Sequence, residues 1–175
     1  MQPEIELEGL RLRGFVPDDV PLVQSASSTS IPDTSTVPRT PGVAEAMAYI
    51  ERQHERRASG RGYSCCVARA EDDVAVGFVG LDLRDADRGR ASLGYWVGPE
   101  HRGHGYAARA ARGLGDWSDA VLQIPRLELY VEPWNTPSIR TAERAGFERE
   151  GLLRSWQVVR GERRDMWMFS RIAAS

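Results

Sequence analysis

A turn with two glycines, just after the midpoint of the chain, constrains the fold more than any other feature. It spans 102–107 (Arg-Gly-His-Gly-Tyr-Ala) and joins an apolar strand-like segment to an alanine-rich helical segment. The first N–H groups of such a helix have no partner within the helix, and the helix dipole adds partial positive charge there. Gly103 and Gly105 leave the backbone open to a bulky anion. The turn favours a phosphate site, and a connection without a ligand fits its spacing about equally well.

The same window also fits the Gly-x-Gly-x-x-Ala pattern of dinucleotide-binding proteins. Glu128 lies on the next strand-like segment. Its separation in sequence from the glycines is close to that of the ribose-binding acid in those proteins. Three segments typical of an antiparallel meander precede the turn, however, and too few strand-helix units follow it to build a doubly wound sheet. The order of elements therefore argues against a nicotinamide-dependent oxidoreductase.

Hydrophobic periodicity predicts seven strands and four helices. Alternating β-branched and aromatic residues indicate strands, and apolar residues at helical spacing indicate helices. The predicted strands are 7–15, 62–70, 74–83, 91–98, 126–131, 147–159 and 163–172. The predicted helices start near 17 and cover about 43–58, 105–121 and 136–145, with Gly146 as a left-handed cap and a turn at 161–162 in the last hairpin.

Length and composition limit the number of domains and the kinds of partner. A chain of 175 residues with 41% hydrophobic content predicts a single domain, 1–175. The 23 Lys and Arg nearly balance the 25 Asp and Glu, so we expect neither nucleic acid nor a membrane as a partner. The start lacks a signal-peptide pattern and no apolar run approaches a membrane span, which predicts a cytoplasmic location. Cys65 and Cys66 are adjacent and are expected to be reduced core residues on a strand.

A segment rich in Ser, Thr and Pro, 25–41, precedes the second predicted helix. Such composition predicts an irregular loop or a broken pair of short helices. Long connections in compact domains are either mobile or functional, and both interpretations stay open for this one. If it is functional, we expect its part 31–40 to govern the acceptor and not the cofactor.

Two motifs in order resemble the GCN5-related N-acetyltransferase (GNAT) superfamily. Residues 102–107 resemble its Arg/Gln-x-x-Gly-x-Gly/Ala signature, behind a strand with Leu-Gly-Tyr-Trp-Val-Gly at 93–98. Asn135 and Ser138, followed by Gly-Phe at 146–147, resemble its Asn-x-x-Ser … Gly-Phe segment, and the combination is similar to the RimJ/RimL branch. The resemblance covers most of the chain. It implies an α/β fold with a mixed, mostly antiparallel central sheet of about seven strands, flanked by helices and splayed between the fourth and fifth strands.

The resemblance also implies a cofactor site for acetyl-CoA or another short acyl-CoA. Backbone groups of Trp96 and Val97 would pair with the pantetheine arm, and Asn135 would hydrogen-bond it. The pyrophosphate would lie against the peptide groups of Arg102, Gly103, His104, Gly105, Tyr106 and Ala107. No metal is expected, because the three histidines are scattered and no Cys-x-x-Cys occurs.

Two side chains are candidates for catalysis. By the resemblance, Ser138 is the hydroxyl that reaches the coenzyme sulfur. Glu132, at the end of a predicted strand near Asn135, is a candidate base that accepts a proton through water, and a solvated acid at a strand end fits this position equally well. Many relatives have a Tyr seven residues after the Asn and an acid before Gly-Tyr-Trp, but here these positions are Ala142 and Ser92. In the alternative interpretation, Asn135 is only a helix N-cap and Ser138 an ordinary first-turn residue.

The implied function is an acyl-CoA-dependent N-acyltransferase, acetyl-specific by expectation. Its acceptor would be the primary amine of a protein N-terminus or of a small molecule, and a homodimer is left open. The alternative is a non-catalytic acyl-CoA-binding or sensing module, which would fit Ser92 and Ala142. The presence of Asn135 and Ser138 favours the enzyme.

Overall fold

The computed structural model describes residues 3–173, which form one mixed sheet of eight strands with helices on both faces. The strands, in chain order, are β1 (Ile5–Leu7), β2 (Leu10–Arg13), β3 (Gly62–Arg69), β4 (Ala75–Asp82), β5 (Arg90–Val97), β6 (Arg126–Val131), β7 (Glu148–Val159) and β8 (Glu162–Ile172). Their spatial order is β1-β2-β3-β4-β5-β6-β8-β7, and every neighbouring pair is antiparallel except the parallel pair β5 and β6. The mixed, mostly antiparallel sheet expected from the sequence is confirmed.

Four α-helices complete the fold of the described residues, 3–173. They are α1 (Val20–Ser27), α2 (Val43–Ala58), α3 (Tyr106–Trp117) and α4 (Thr136–Arg144). The predicted bounds of α2 and β6 agree with the structure. The third predicted helix is shorter than expected, because a π-helical turn, Ser118–Leu122, takes up its last residues. Within residues 3–173, no helix is both long and apolar enough to cross a membrane.

The first predicted strand is a hairpin, which raises the strand number from seven to eight. β1 pairs with β2, and Gly9 in the connecting turn has φ +70. That backbone region suits glycine, since a side chain there meets the following carbonyl group. Apolar and polar residues alternate on both sides of the turn, but the apolar positions change from 5 and 7 to 10 and 12 across Glu8 and Gly9. This change of phase marks the reversal, which a prediction from the period alone overlooked. The last hairpin also turns one residue earlier than predicted, at Arg160 and Gly161.

The sheet splays between β5 and β6, as expected. The two strands pair at three positions only, from Arg90 with Arg126 to Ser92 with Glu128. Beyond these pairs they diverge, and the rest of β5 has a partner only in β4. A buried strand edge without a partner leaves N–H and C=O groups that need hydrogen bonds, so the gap is a site for another extended chain.

Two hydrophobic cores lie on opposite faces of the sheet. Cys65 belongs to the core under α3 and α4, and its neighbour Cys66 belongs to the core under α1 and α2. Successive side chains of a strand point to opposite faces, so these two residues mark the two sides of the sheet. Both are buried on β3 and neither forms a disulfide, as the sequence predicted.

A buried ion pair anchors the start of α1. Both terminal nitrogens of the Arg13 guanidinium donate to the Asp19 carboxylate at 2.8 and 2.9 Å, and their side chains are 10% and 3% exposed. Asp73 also pairs with Arg13 at 3.0 Å, but its side chain is 52% exposed.

We expect Asp19→Asn to lower the free energy of unfolding by about 3–5 kcal/mol, because it leaves the guanidinium buried without its main partner. Asp73→Asn is the matched control. Its cost should stay below about 1 kcal/mol, since an exposed pair contributes little and Asn tolerates the left-handed φ of +57 at this position. Urea unfolding of both variants measures the difference, and equal costs would contradict the assignment.

Candidate active site

A cleft of about 950 Å³ passes through the splayed part of the sheet. Tyr49 and Trp96, which belong to the α1 and α2 core, line it together with Tyr95 and Ser138 on the α3 and α4 side. Because its walls come from both faces, a ligand can enter from either side and meet another in the gap. The cleft thus has two entrances, and the unpaired edge of β5 lies within it.

The glycine turn lies at the α3 entrance, where the sequence predicted an anion site. Gly105 is the N-cap of α3 with φ +72, and no side chain caps the first N–H groups of this helix. A Cβ added to Gly103 or Gly105 would meet nothing within 4 Å, so the space beside these two residues is open. An uncapped helix N-terminus beside open space fits a phosphate. Arg102, His104, Tyr106 and Ala107 line the same part of the cleft.

The register of β5 decides which of its peptide groups face the gap. The Gly98 N–H donates to the Val76 carbonyl at 2.9 Å, so Gly98 points toward β4. By the alternation of strands, Trp96 also points toward β4, and Val97 and Tyr95 point into the gap. Of the two backbone positions predicted to hold the cofactor arm, the alternation assigns the N–H and carbonyl of Trp96 to the sheet. It turns those of Val97 toward the gap, where the Val97 carbonyl accepts a hydrogen bond of 3.5 Å from Arg102 Nε.

Asn135 and Ser138 meet at the start of α4. The Asn135 Oδ1 accepts a hydrogen bond from the Ser138 backbone N–H at 3.2 Å, so Asn135 is the N-cap of the helix. The Ser138 side chain does not take part in this cap. Its Oγ lies 3.0 Å from the Tyr95 hydroxyl, and both residues line the cleft. The capping interpretation therefore holds for Asn135, whereas the Ser138 hydroxyl remains available for chemistry.

Tyr95 is the residue that sequence reasoning missed. Its hydroxyl lies 3.0 Å from both the carbonyl oxygen and the Oγ of Ser138, 43 residues away in the chain. Burial raises the pKa of Tyr95 to about 12, so the phenol keeps its proton throughout the neutral range. The sequence contains one local signal for this position. Tyr95 precedes Trp96 on a predicted strand, so the two side chains face opposite sides of the sheet.

Glu132 stands in the cleft just after the end of β6. Its side chain is 10% exposed, and its one ion pair with another residue in 3–173 is to Arg164 Nε at 3.9 Å. Within residues 3–173 its carboxylate makes no hydrogen bond. Glu128, the ribose-binding acid of the dinucleotide interpretation, is instead held by Arg126 at 2.6 Å and by the Tyr130 hydroxyl at 2.9 Å.

The other entrance lies between the loop after α1 and the β7–β8 hairpin. Asp33 in a short 3-10 helix (Ile31–Asp33) approaches Arg160 at the hairpin turn, with Nε and Oδ2 3.5 Å apart. This contact joins the two halves of the splayed sheet. Ile31 and Val37 of the same loop are buried in the α1 and α2 core. These two residues anchor the loop at either end of the segment that lines the cleft.

Comparisons with known proteins agree with this geometry. A family model described as an acetyltransferase (GNAT) domain matches residues 9–148. The uncharacterized N-acetyltransferase p20 of Bacillus licheniformis is 34% identical over 128 residues, which make up 73% of this chain and 72% of that protein. The L-amino acid N-acetyltransferase AaaT of Escherichia coli is 30% identical over 120 residues, covering 67% of this chain and 74% of the relative. The structure of Mycobacterium smegmatis RimJ in complex with CoA-disulfide matches with a TM-score of 0.82 at 22% identity and covers 98% of this chain and 86% of that one.

The family match confirms the resemblance found in the sequence and rules out the oxidoreductase interpretation. The relatives are named as acetyltransferases, so they give no support to a non-catalytic binding module. Among residues 3–173 there is no group of three side chains suited to hold a metal. The chain belongs to the GNAT family, and it is an acyl-CoA-dependent N-acetyltransferase.

Proposed function

We propose that acetyl-CoA, or another short acyl-CoA, enters from the α3 side and that a primary amine enters from the opposite side. The observation that carries this proposal is the continuity of the unpaired β5 edge with the glycine turn at the start of α3. A pantetheine arm can pair with the backbone of Val97 and Tyr95. The peptide groups from Arg102 to Ala107 can then receive the pyrophosphate.

The acyl transfer needs stabilisation of an oxyanion and of a departing thiolate. The amine nitrogen attacks the thioester carbonyl carbon, and the C–S bond then breaks. The Val97 N–H, which faces the gap, is the donor that we assign to the oxyanion; such donors contribute about 3 kcal/mol in related chemistry. The Ser138 hydroxyl donates to the sulfur as the thiolate leaves, and Glu132 takes the proton that the amine loses, directly or through water.

Tyr95 supports Ser138 in this role. Its single proton can go either to the Ser138 carbonyl or to the Ser138 Oγ, since both lie 3.0 Å away. When the phenol donates to Oγ, the serine proton is free to point at the sulfur. A buried phenol that stays protonated thus replaces the family Tyr whose position is Ala142 here.

The amine side has the features expected of an acceptor site. Residues 30–31 and 33–36 line the cleft together with Arg160 and Arg164 of the β7–β8 hairpin, and Glu132 lines the same cleft. The acceptor is the primary amine of a small molecule or of a protein N-terminus. We place the chain in the cytoplasm, with which the absence of a disulfide between the buried Cys65 and Cys66 is compatible.

Calorimetry with acetyl-CoA and with NAD tests the ligand. We expect acetyl-CoA to bind and NAD not to bind, because the glycine turn follows a meander and not a βαβ unit, and because Glu128 is already paired with Arg126. Desulfo-CoA serves as a control that keeps the pyrophosphate without the thioester. NAD binding tighter than acetyl-CoA would contradict the proposal.

A further inference from the structure

The imidazole ring of His104 is bound to the backbone of its own turn through one nitrogen. Its Nδ1 lies 2.9 Å from the carbonyl oxygen of Arg102 and 3.2 Å from that of His101. Carbonyl oxygens only accept hydrogen bonds, so Nδ1 carries a proton and donates it. The other ring nitrogen, Nε2, has no hydrogen-bond partner within residues 3–173. It is therefore open to a ligand or to a second proton.

Stacking holds the same ring in place at the wall of the cleft. The imidazole lies on the phenol ring of Tyr106, with centroids 5.2 Å apart and an interplanar angle of 13°. The Arg109 guanidinium is 5.3 Å from the centroid of that phenol ring. Arg109 also donates to the carbonyl of Glu8 at 2.6 Å and to that of His104 at 3.4 Å, which ties the stack to the β1–β2 turn.

The ring has no carboxylate partner in the described part of the chain. The acids on the adjoining elements are bound elsewhere, since Glu100 accepts from Ser25 Oγ at 2.8 and 2.9 Å and Asp72 pairs with Arg69. The exposed Glu8 contributes its backbone carbonyl to Arg109. The other charged or titratable groups of the turn, of α3 and of the end of β3 are His101, Arg102, Tyr106, Arg109 and Arg69. An anion at the turn would thus be the first anionic partner of the ring.

A diphosphate held at this turn would lie close to the ring, because the peptide groups assigned to it include that of His104 itself. Imidazole changes its charge between about pH 5 and 8, and a nearby anion favours the charged form. A neutral Nε2 presents a lone pair to the phosphate oxygens, whereas a protonated Nε2 donates a charge-assisted hydrogen bond. The diphosphate and the proton therefore favour each other's binding.

On the basis of the proposed function, we infer that the His104 side chain binds the cofactor diphosphate and takes up a proton as the cofactor binds. Nδ1–H stays with the two carbonyl groups, and Nε2 receives the new proton from solvent. This role is additional to that of the peptide groups of the turn. It makes the affinity for the cofactor rise as the pH falls through the neutral range.

Calorimetry with dephospho-CoA measures the proton uptake. This ligand keeps the diphosphate and lacks the 3′-phosphate, whose own proton would titrate in the same range. Binding enthalpies in buffers of different ionisation enthalpy give the number of protons taken up for each ligand bound. We expect a net uptake near about pH 6.5 and a Kd about fivefold or more lower at about pH 5.5 than at about pH 8.

His104→Asn is the test variant, because its amide nitrogen can still donate to the carbonyl groups but does not titrate. We expect it to lose the proton uptake and to bind dephospho-CoA equally at both pH values, with an affinity near that of the wild type at the higher one. A merely structural role would instead weaken binding at both. Melting temperatures report on folding, and His104→Gln replaces the variant if it does not fold.

The other two histidines of the chain supply the controls. His101 lies in the preceding 3-10 helix and His54 is exposed on α2, so His101→Asn and His54→Asn should keep the proton uptake. Uptake that persists in His104→Asn, or that is lost in His101→Asn or His54→Asn, overturns the inference. Equal affinities of the wild type at both pH values overturn it as well, and both results leave acyl transfer intact. A wild type that binds neither acetyl-CoA nor dephospho-CoA would instead refute the proposed function, and this inference with it.

Discussion

Gly105→Glu is expected to abolish acetyl-CoA binding while the domain stays folded. A Cβ at this position points into open space, so the new carboxylate extends into the region assigned to the pyrophosphate. Two like charges about 4 Å apart repel by about 4 kcal/mol at the effective dielectric of a protein surface, which corresponds to a loss of about 1000-fold in affinity. Calorimetry gives the affinity, and the melting temperature reports on folding.

Gly105→Asn separates charge from backbone strain. The left-handed φ of +72 penalises every side chain, but Asn tolerates it better than most and adds no charge. We expect the Asn variant to bind acetyl-CoA much more tightly than the Glu variant. Equal affinities in two folded variants would mean that the turn is only a connection between β5 and α3.

Ser138→Ala is expected to lower kcat by about tenfold or more, with little change in acetyl-CoA affinity. The hydroxyl acts when the thiolate forms, so its loss affects the transition state and not the bound substrate. Stability should hardly change, because the α4 cap uses the Ser138 backbone N–H and not its side chain. Asn135→Ala gives the contrast. It removes the cap and should cost about 0.5–2 kcal/mol of stability.

Tyr95→Phe tests the support that Ser138 receives. We expect a lower kcat in this variant, and the Tyr95→Phe/Ser138→Ala double variant should be no slower than Ser138→Ala alone, because both changes remove the same proton path. The decrease in kcat should be the same at every pH in the neutral range, since the pKa of Tyr95 is about 12 and the phenol stays protonated there. Full kcat in Ser138→Ala would remove the serine from the mechanism. Full kcat in Tyr95→Phe alone would remove only the tyrosine.

Features set by short stretches of chain could be predicted from the sequence. The glycine turn at 102–107 depends on helix ends and on backbone freedom, and its place before α3 followed from neighbouring residues. The same holds for Asn135 as the N-cap of α4 and for the helical spacing of the apolar residues in α2. The splay between β5 and β6 came from the family resemblance alone.

Features set by distant contacts could not be predicted. The Tyr95 hydroxyl meets Ser138 across 43 residues of sequence, and no local pattern records that contact. Arg160 and Asp33 are brought together only when both halves of the splayed sheet are in place. The β1–β2 hairpin was missed for another reason, since the period is two on either side of Gly9 and only the phase of the apolar positions changes there.

Transfer of a labelled acetyl group is the most direct test of the central claim. The chain is incubated with acetyl-CoA labelled in its acetyl carbons and with a panel of primary amines, and mass spectrometry follows the label. We predict that the label appears on the nitrogen of at least one amine, with one free coenzyme thiol for each product formed. The account would be contradicted by a folded chain that binds acetyl-CoA but leaves the label on the coenzyme, or releases it only as acetate, with every amine.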